Sequence, residues 1–172
     1  MKNRKLWCLA LILLFAIPVA AQEPTSEFKD AAGRFKITLI GDWKPVTYDD
    51  AVGRSRTEFV YGDRSEGLLK ITKEKLNGET LTGKVHTEQE NLRIYRVGFE
   101  RVSTEHFDVG KYDGMRFAFF STDSGRKTAS AFYYIQEGDS VWVLRFTGKR
   151  GVLDTIRNLT DRMARSFTPL GK

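Results

Sequence analysis

The chain has 172 residues, with 28 Lys and Arg against 22 Asp and Glu, one cysteine and 41% hydrophobic residues. This suits one globular domain with a sizeable core, and the lack of repeats or low-complexity tracts excludes a solenoid or a disordered module. A single cysteine excludes a disulfide framework, so the fold has to rest on packing.

Residues 1–21 have the layout of an export signal: Lys2, Arg4 and Lys5 are followed by an apolar run over residues 6–17 and by the small side chains Val19-Ala20-Ala21. The run is shorter than the roughly 20 apolar residues of a membrane span. Cleavage after Ala21 is therefore expected, leaving a periplasmic or secreted chain that begins at Gln22; an uncleaved segment would instead be an anchor. Cys8 lies at the start of the apolar run rather than after it, which does not suit a lipoprotein acylation site. Three of the 28 basic residues and no acid precede Ala21, so 25 basic and 22 acidic residues remain, a formal charge of +3. That is ordinary for a soluble surface, and an exported chain of this charge is not expected to bind nucleic acid.

After a polar lead at residues 22–27, residues 34–40 alternate Phe35, Ile37 and Leu39 with more polar neighbours, the period of a half-buried strand. Gly41-Asp42 ends it, and residues 43–53, with Pro45 and the pair Asp49 and Asp50, read as a loop. Residues 57–61 and 68–73 read as a strand pair about a Gly-Asp-Arg-Ser-Glu-Gly turn. Leu81, Val85, Glu88, Leu92, Tyr95 and Phe99 then recur at spacings of 4, 3, 4, 3 and 4, which predicts a helix near residues 82–97. Thr80 or Thr82 would cap it and Gly98 would end it.

Period-2 patterning returns from residue 100 to 147, punctuated by Tyr112-Asp113-Gly114, Asp123-Ser124-Gly125 and Glu137-Gly138-Asp139. Residues 115–122, 127–136 and 140–147 should form an antiparallel meander with Phe117, Phe119, Tyr133, Ile135, Trp142, Leu144 and Phe146 buried. One sheet face cannot take all these rings, so cover on both faces is expected. Val152, Ile156, Leu159 and Met163 predict a last helix over residues 150–165, with Arg157, Arg162 and Arg165 on its other side. Strands, a helix, more strands and a final helix give a single α+β layered domain over residues 28–170.

Motifs for chemistry are sparse. Asp123-Ser124-Gly125-Arg126-Lys127-Thr128 has a basic residue before Thr, but it lacks the earlier glycine and the following helix of a phosphate loop. His86 and His106, with Glu88 and Glu90 nearby, lack the close pairing of metal ligands, so no metal or other cofactor is expected. No Gly-x-Ser-x-Gly elbow occurs, and Asp49 and Asp50 read as loop solvation rather than an acid–base pair. The Asn158-Leu159-Thr160 sequon falls inside the predicted last helix. From residue 141 onward, Arg145, Lys149, Arg150, Arg157, Arg162, Arg165 and Lys172 face only Asp154 and Asp161. Such a surface suits an acidic partner or peripheral contact with an anionic membrane; the plainer reading is a solvated helix face.

Phe28, Gly33-Arg34-Phe35-Lys36-Ile37 and Gly41-Asp42-Trp43 resemble the opening of PsbP-like domains, with Ile40 where a proline often stands. Ala131-Phe132-Tyr133-Tyr134, the run from Val141-Trp142 through Arg145-Phe146-Thr147, and a helix leading to Ser166-Phe167 resemble its end. The resemblance implies an α-β-α sandwich around a central antiparallel sheet of about six strands. Photosynthetic members are extrinsic subunits that help photosystem II retain calcium and chloride, using a longer N-terminal extension than the few residues expected here. No catalytic residue is carried over, because the family offers no catalytic motif.

The sequence therefore points to an exported, non-catalytic, monomeric domain that binds a protein partner or an envelope component. The candidate contacts are Trp43, Arg145, Arg157, Arg162 and Arg165, on the concave side of the sheet or on the last helix. The alternative is a small-molecule or lipid carrier with a pocket between sheet and helix, lined by Phe117, Phe119 and Trp142. A hydrolase with an unrecognised site comes third.

Overall fold

Two antiparallel sheets carry the chain in the computed structural model, which describes residues 23–53 and 55–171. The expected export signal lies outside the described residues. In chain order the elements are β1 (Thr25–Lys29), β2 (Phe35–Ile40), β3 (Trp43–Asp49), β4 (Ser55–Tyr61), β5 (Gly67–Lys75), α1 (Leu81–Tyr95), β6 (Glu100–His106), β7 (Gly114–Asp123), β8 (Arg126–Glu137), β9 (Ser140–Lys149), α2 (Arg150–Thr155), α3 (Arg157–Ser166) and β10 (Thr168–Pro169). The large sheet has seven strands in the order β3-β4-β5-β9-β8-β7-β6, and β1-β2-β10 form a small second sheet. Among the described residues, no helix is long and apolar enough to cross a membrane.

The alternation of apolar residues along β8 and β9 builds two cores. Tyr133, Ile135, Trp142, Leu144 and Phe146 point to one face, where β2 and the C-terminal helices cover them. Phe132, Tyr134, Val141 and Val143 point to the other, joining Phe117 and Phe119 beneath α1. Both faces are thus covered, as the density of aromatic residues requires. Phe35, Trp142 and Phe167 form a triangle of rings with centroids 5.4 to 5.5 Å apart. Each such ring pair contributes about 0.5–1.5 kcal/mol beyond its buried area. Thr38 N–H donates to Ser166 Oγ at 2.9 Å, which fixes the end of α3 on β2.

Several local expectations are corrected. Residues 43–49 form a strand, not a loop; Pro45 is accommodated because β3 is an edge strand, where a missing N–H interrupts no inner ladder. Part of the polar lead belongs to β1, which pairs with β2 and not with the main sheet. Helix α1 begins as expected, with Thr80 Oγ1 accepting from Gly83 N–H at 3.0 Å. Its inward face, however, is Val85 and Gln89 with Leu81 and Leu92 partly covered, while Tyr95 is 80% exposed. Phe99 lies beyond the helix and packs on Phe117 and Phe119. The single C-terminal helix is two, broken at Ile156, and Leu153 rather than Val152 enters the core.

Candidate functional site

The five residues singled out as contacts do not share a surface. Trp43 is 2% exposed and packs on Tyr61 and Phe146. It is a core residue and leaves the set of candidate contacts. Arg145 lies on the α1 side of the sheet, donating to Thr72, Glu74 and Glu88 at 2.8 to 3.1 Å. Burial lowers its tendency to hold a proton, but Glu88 and Glu74 outweigh that and keep the guanidinium charged. Arg157, Arg162 and Arg165 are on α3, across the sheet. Of these, Arg162 pairs with Glu23 at 3.1 Å, and Arg165 lies 4.2 Å over the Phe107 ring. The carrier lining also divides, because Phe117 and Phe119 belong to one core and Trp142 to the other. His86 and His106 are both exposed, and the described residues hold no cluster of metal-ligating side chains.

A different site forms at the end of β9. Strand register sets Gly148 beside Gly67 of β5 on one side and Ala129 of β8 on the other, so three chain reversals meet there. The first is the turn before β5. Asp63 Oδ1 accepts from the N–H and hydroxyl of Ser65, each at 2.6 Å, and these bonds hold its carboxyl below the usual range. Ser65 C=O accepts from Lys149 N–H at 3.0 Å, seating the turn on β9. Gly148 permits this approach, since a Cβ there would lie 2.1 Å from the Glu66 carbonyl oxygen. The second is the β7–β8 hairpin, whose turn residues Ser124 and Gly125 both have positive φ, at 50° and 78°. The third is the passage from β9 into α2.

These reversals enclose a cleft of about 760 Å³. Its walls carry Arg64, Arg126, Lys127, Lys149 and Arg150 against two carboxylates, Asp123 and Asp154. Among the described residues, Arg126, Lys127, Lys149 and Arg150 make no ion pair, whereas Arg64 reaches Glu58 at 3.3 Å. Arg150 is anchored differently, with its guanidinium 3.6 Å over the Phe120 ring. Leu68 supplies an apolar part of the lining. The Thr147 hydroxyl accepts from Ser130 at 3.3 Å, which leaves its own proton available to a ligand. The Thr128 hydroxyl is engaged with Ser121.

The sequence pointed to part of this site through the Asp123–Thr128 segment. Rejection of a phosphate loop stands, since β8 follows the turn and no helix does. Yet Asp123, Arg126, Lys127 and Thr128 all line the cleft. The available signal was two adjacent basic pairs, Arg126-Lys127 and Lys149-Arg150, each at a strand end. Their meeting depends on the β8–β9 pairing, which periodicity alone does not supply.

No family model and no curated protein matches the chain. Solved structures do. Cyanobacterial PsbP from Synechocystis sp. PCC 6803 is 13% identical with a TM-score of 0.61, covering 91% of this chain and 98% of its own. The Ran-binding protein Mog1p of Saccharomyces cerevisiae is 11% identical with a TM-score of 0.57, covering 87% and 97%. LpqN of Mycobacterium tuberculosis, involved in cell envelope biogenesis, is 13% identical with a TM-score of 0.56, covering 85% of each chain. At these identities the likeness concerns the fold. The chain has a PsbP/Mog1-like fold, with seven strands in its main sheet where about six were expected.

Proposed function

We propose that the chain is an exported, non-catalytic binding domain that recognises a negatively charged partner protein or envelope component through the basic cleft. One observation carries this reading: Arg126, Lys127, Lys149 and Arg150 line a single cleft and make no ion pair among the described residues. Many cations elsewhere are matched, as in Arg34 with Asp30, Lys73 with Glu137, Lys84 with Glu74 and Arg116 with Glu105; others, such as Lys29, Lys75 and Arg101, also make no ion pair among the described residues, but they do not line this cleft. Converging like charges repel, and a concave wall of one sign concentrates anions of the other. Mog1p is described as Ran-binding and LpqN as involved in cell envelope biogenesis, and a binding role here is compatible with both.

Co-sedimentation of the purified chain with envelope fractions, over a series of salt concentrations, tests this. The double charge reversal K149E/R150E should reduce binding about tenfold, and the steep salt dependence of a charge-driven contact should disappear. R157E/R162E/R165E should change binding less than about twofold. The opposite ranking would place the contact on α3 and overturn the assignment to the cleft.

A further inference from the structure

We infer that the cleft selects phosphoryl groups, so that its ligand is a multiply anionic phosphate compound rather than a carboxylate. The inference rests on the binding role just proposed and narrows its chemistry. Three features of the cleft support it.

The donors come from three separate elements: Arg64 from the turn before β5, Arg126 and Lys127 from the β7–β8 hairpin, and Thr147, Lys149 and Arg150 from the end of β9 and the start of α2. A tetrahedral phosphoryl group offers oxygens in several directions and can answer donors that converge in this way. A carboxylate offers two oxygens in one plane. Arginine forks match phosphate oxygens two at a time, and Arg150 is held in place by its stacking on Phe120.

The charge balance agrees. With Arg64 paired to Glu58, the four other cations against two carboxylates leave a formal excess of two positive charges in the cleft. A phosphate monoester carries about −1.5 to −2 at pH 7, so one such group neutralises the excess, whereas one carboxylate leaves half of it. The Thr147 hydroxyl adds a neutral donor with a free proton. A volume of about 760 Å³ also has room for a small organic phosphate or a lipid headgroup. These two sources share the recognising chemistry.

Isothermal titration of the purified chain with inorganic pyrophosphate and with citrate separates phosphate selection from simple charge attraction. Pyrophosphate should bind about tenfold more tightly than citrate. Both K149E/R150E and R126E/K127E, which lie at the ends of the paired strands β9 and β8, should weaken pyrophosphate about tenfold or more. The R126E/K127E melt should match the parent chain, because these two residues make no ion pair among the described residues, whereas K149E/R150E gives up the stacking of Arg150 on Phe120 and should melt slightly lower while remaining folded. Vesicles of phosphatidylcholine with and without phosphatidic acid then identify the source. Binding that requires phosphatidic acid and is displaced by pyrophosphate supports a headgroup, while pyrophosphate binding without vesicle binding supports a soluble ligand. Equal affinity for citrate overturns phosphate selection and leaves the binding role standing, provided the envelope contact still depends on Lys149 and Arg150. Unaltered pyrophosphate binding by either double variant overturns the assignment of the phosphate site to this cleft.

Discussion

Arg116 Nε lies 3.2 Å from the Asp161 carboxylate and ties β7 to α3 across the face of the sheet. The same guanidinium donates to Glu105 at 2.7 Å and Ser103 at 3.1 Å on β6, and to the Tyr133 hydroxyl at 3.4 Å on β8. Tyr133 in turn donates to Asp161, and burial together with that carboxylate raises its phenol well above the ordinary range. One buried cation therefore joins three strands and a helix. Arg116→Met should destabilise the domain by about 2–3 kcal/mol, below the top of the range for breaking a buried pair because Asp161 keeps partial access to water. Urea denaturation should show a lower midpoint with an unchanged slope.

Glu74 makes stability depend on acid pH. Burial pushes its carboxyl up, but hydrogen bonds from Lys84 and Arg145 outweigh burial and leave it below the ordinary value of 4.5. A carboxyl with a depressed folded-state value binds protons more readily when unfolded, so stability rises with pH through this window. Its contribution is complete above the unfolded value and is lost as pH falls through the folded one. Glu74→Gln should lower stability at pH 7 and flatten the decline below about pH 5, measured as unfolding midpoint against pH. An acid limb as steep as that of the parent chain would assign the effect to other carboxyls, such as Asp30, whose hydrogen bonds from Arg34 also hold it low.

The meander was legible because its signals are local. Alternation along residues 115–147 identifies the inward rings, and short polar turns identify the hairpins, so Phe117, Tyr133, Leu144 and Phe146 are buried as expected. Trp43 could not be read in the same way, because an aromatic beside a glycine turn looks alike whether it covers a core or meets a partner. Only the pairing of β3 with β4 places it against Tyr61 and Phe146. Arg145 was misplaced for a related reason. Its membership of a basic C-terminal stretch is a fact of sequence, while β-strand alternation turns it toward α1, away from the arginines of α3. The cleft was legible only in fragments, since it joins residues 64, 126 and 149 through long-range strand pairing.

The β7–β8 turn is open to stabilisation. Ser124 is one of two non-glycine residues with positive φ among the described residues, and a Cβ there costs free energy that asparagine tolerates better. Ser124 followed by Gly125 occupies a two-residue hairpin loop for which Asn-Gly is the preferred pair. Ser124→Asn should raise stability by about 0.5 kcal/mol, seen as a melting point about 1–3 °C higher. Because it alters neither Arg126 nor Lys127, pyrophosphate affinity should remain within about twofold.

Thr147 separates the hydroxyl's contribution from that of charge. Thr147→Val keeps the shape of the side chain and the charge of the cleft but removes the donor available to a ligand. Pyrophosphate binding should weaken about five- to tenfold, the loss of one hydrogen bond to a charged group. Binding driven by the lysines and arginines alone would be insensitive to the change. The substitution also deprives the buried Ser130 hydroxyl of its acceptor at 3.3 Å, so it should cost about 1 kcal/mol of stability. Thr147→Ser restores both the acceptor and the donor. It should recover pyrophosphate affinity and most of the lost stability, whereas recovery of stability without affinity would show that Thr147 supports the cleft without donating to its ligand.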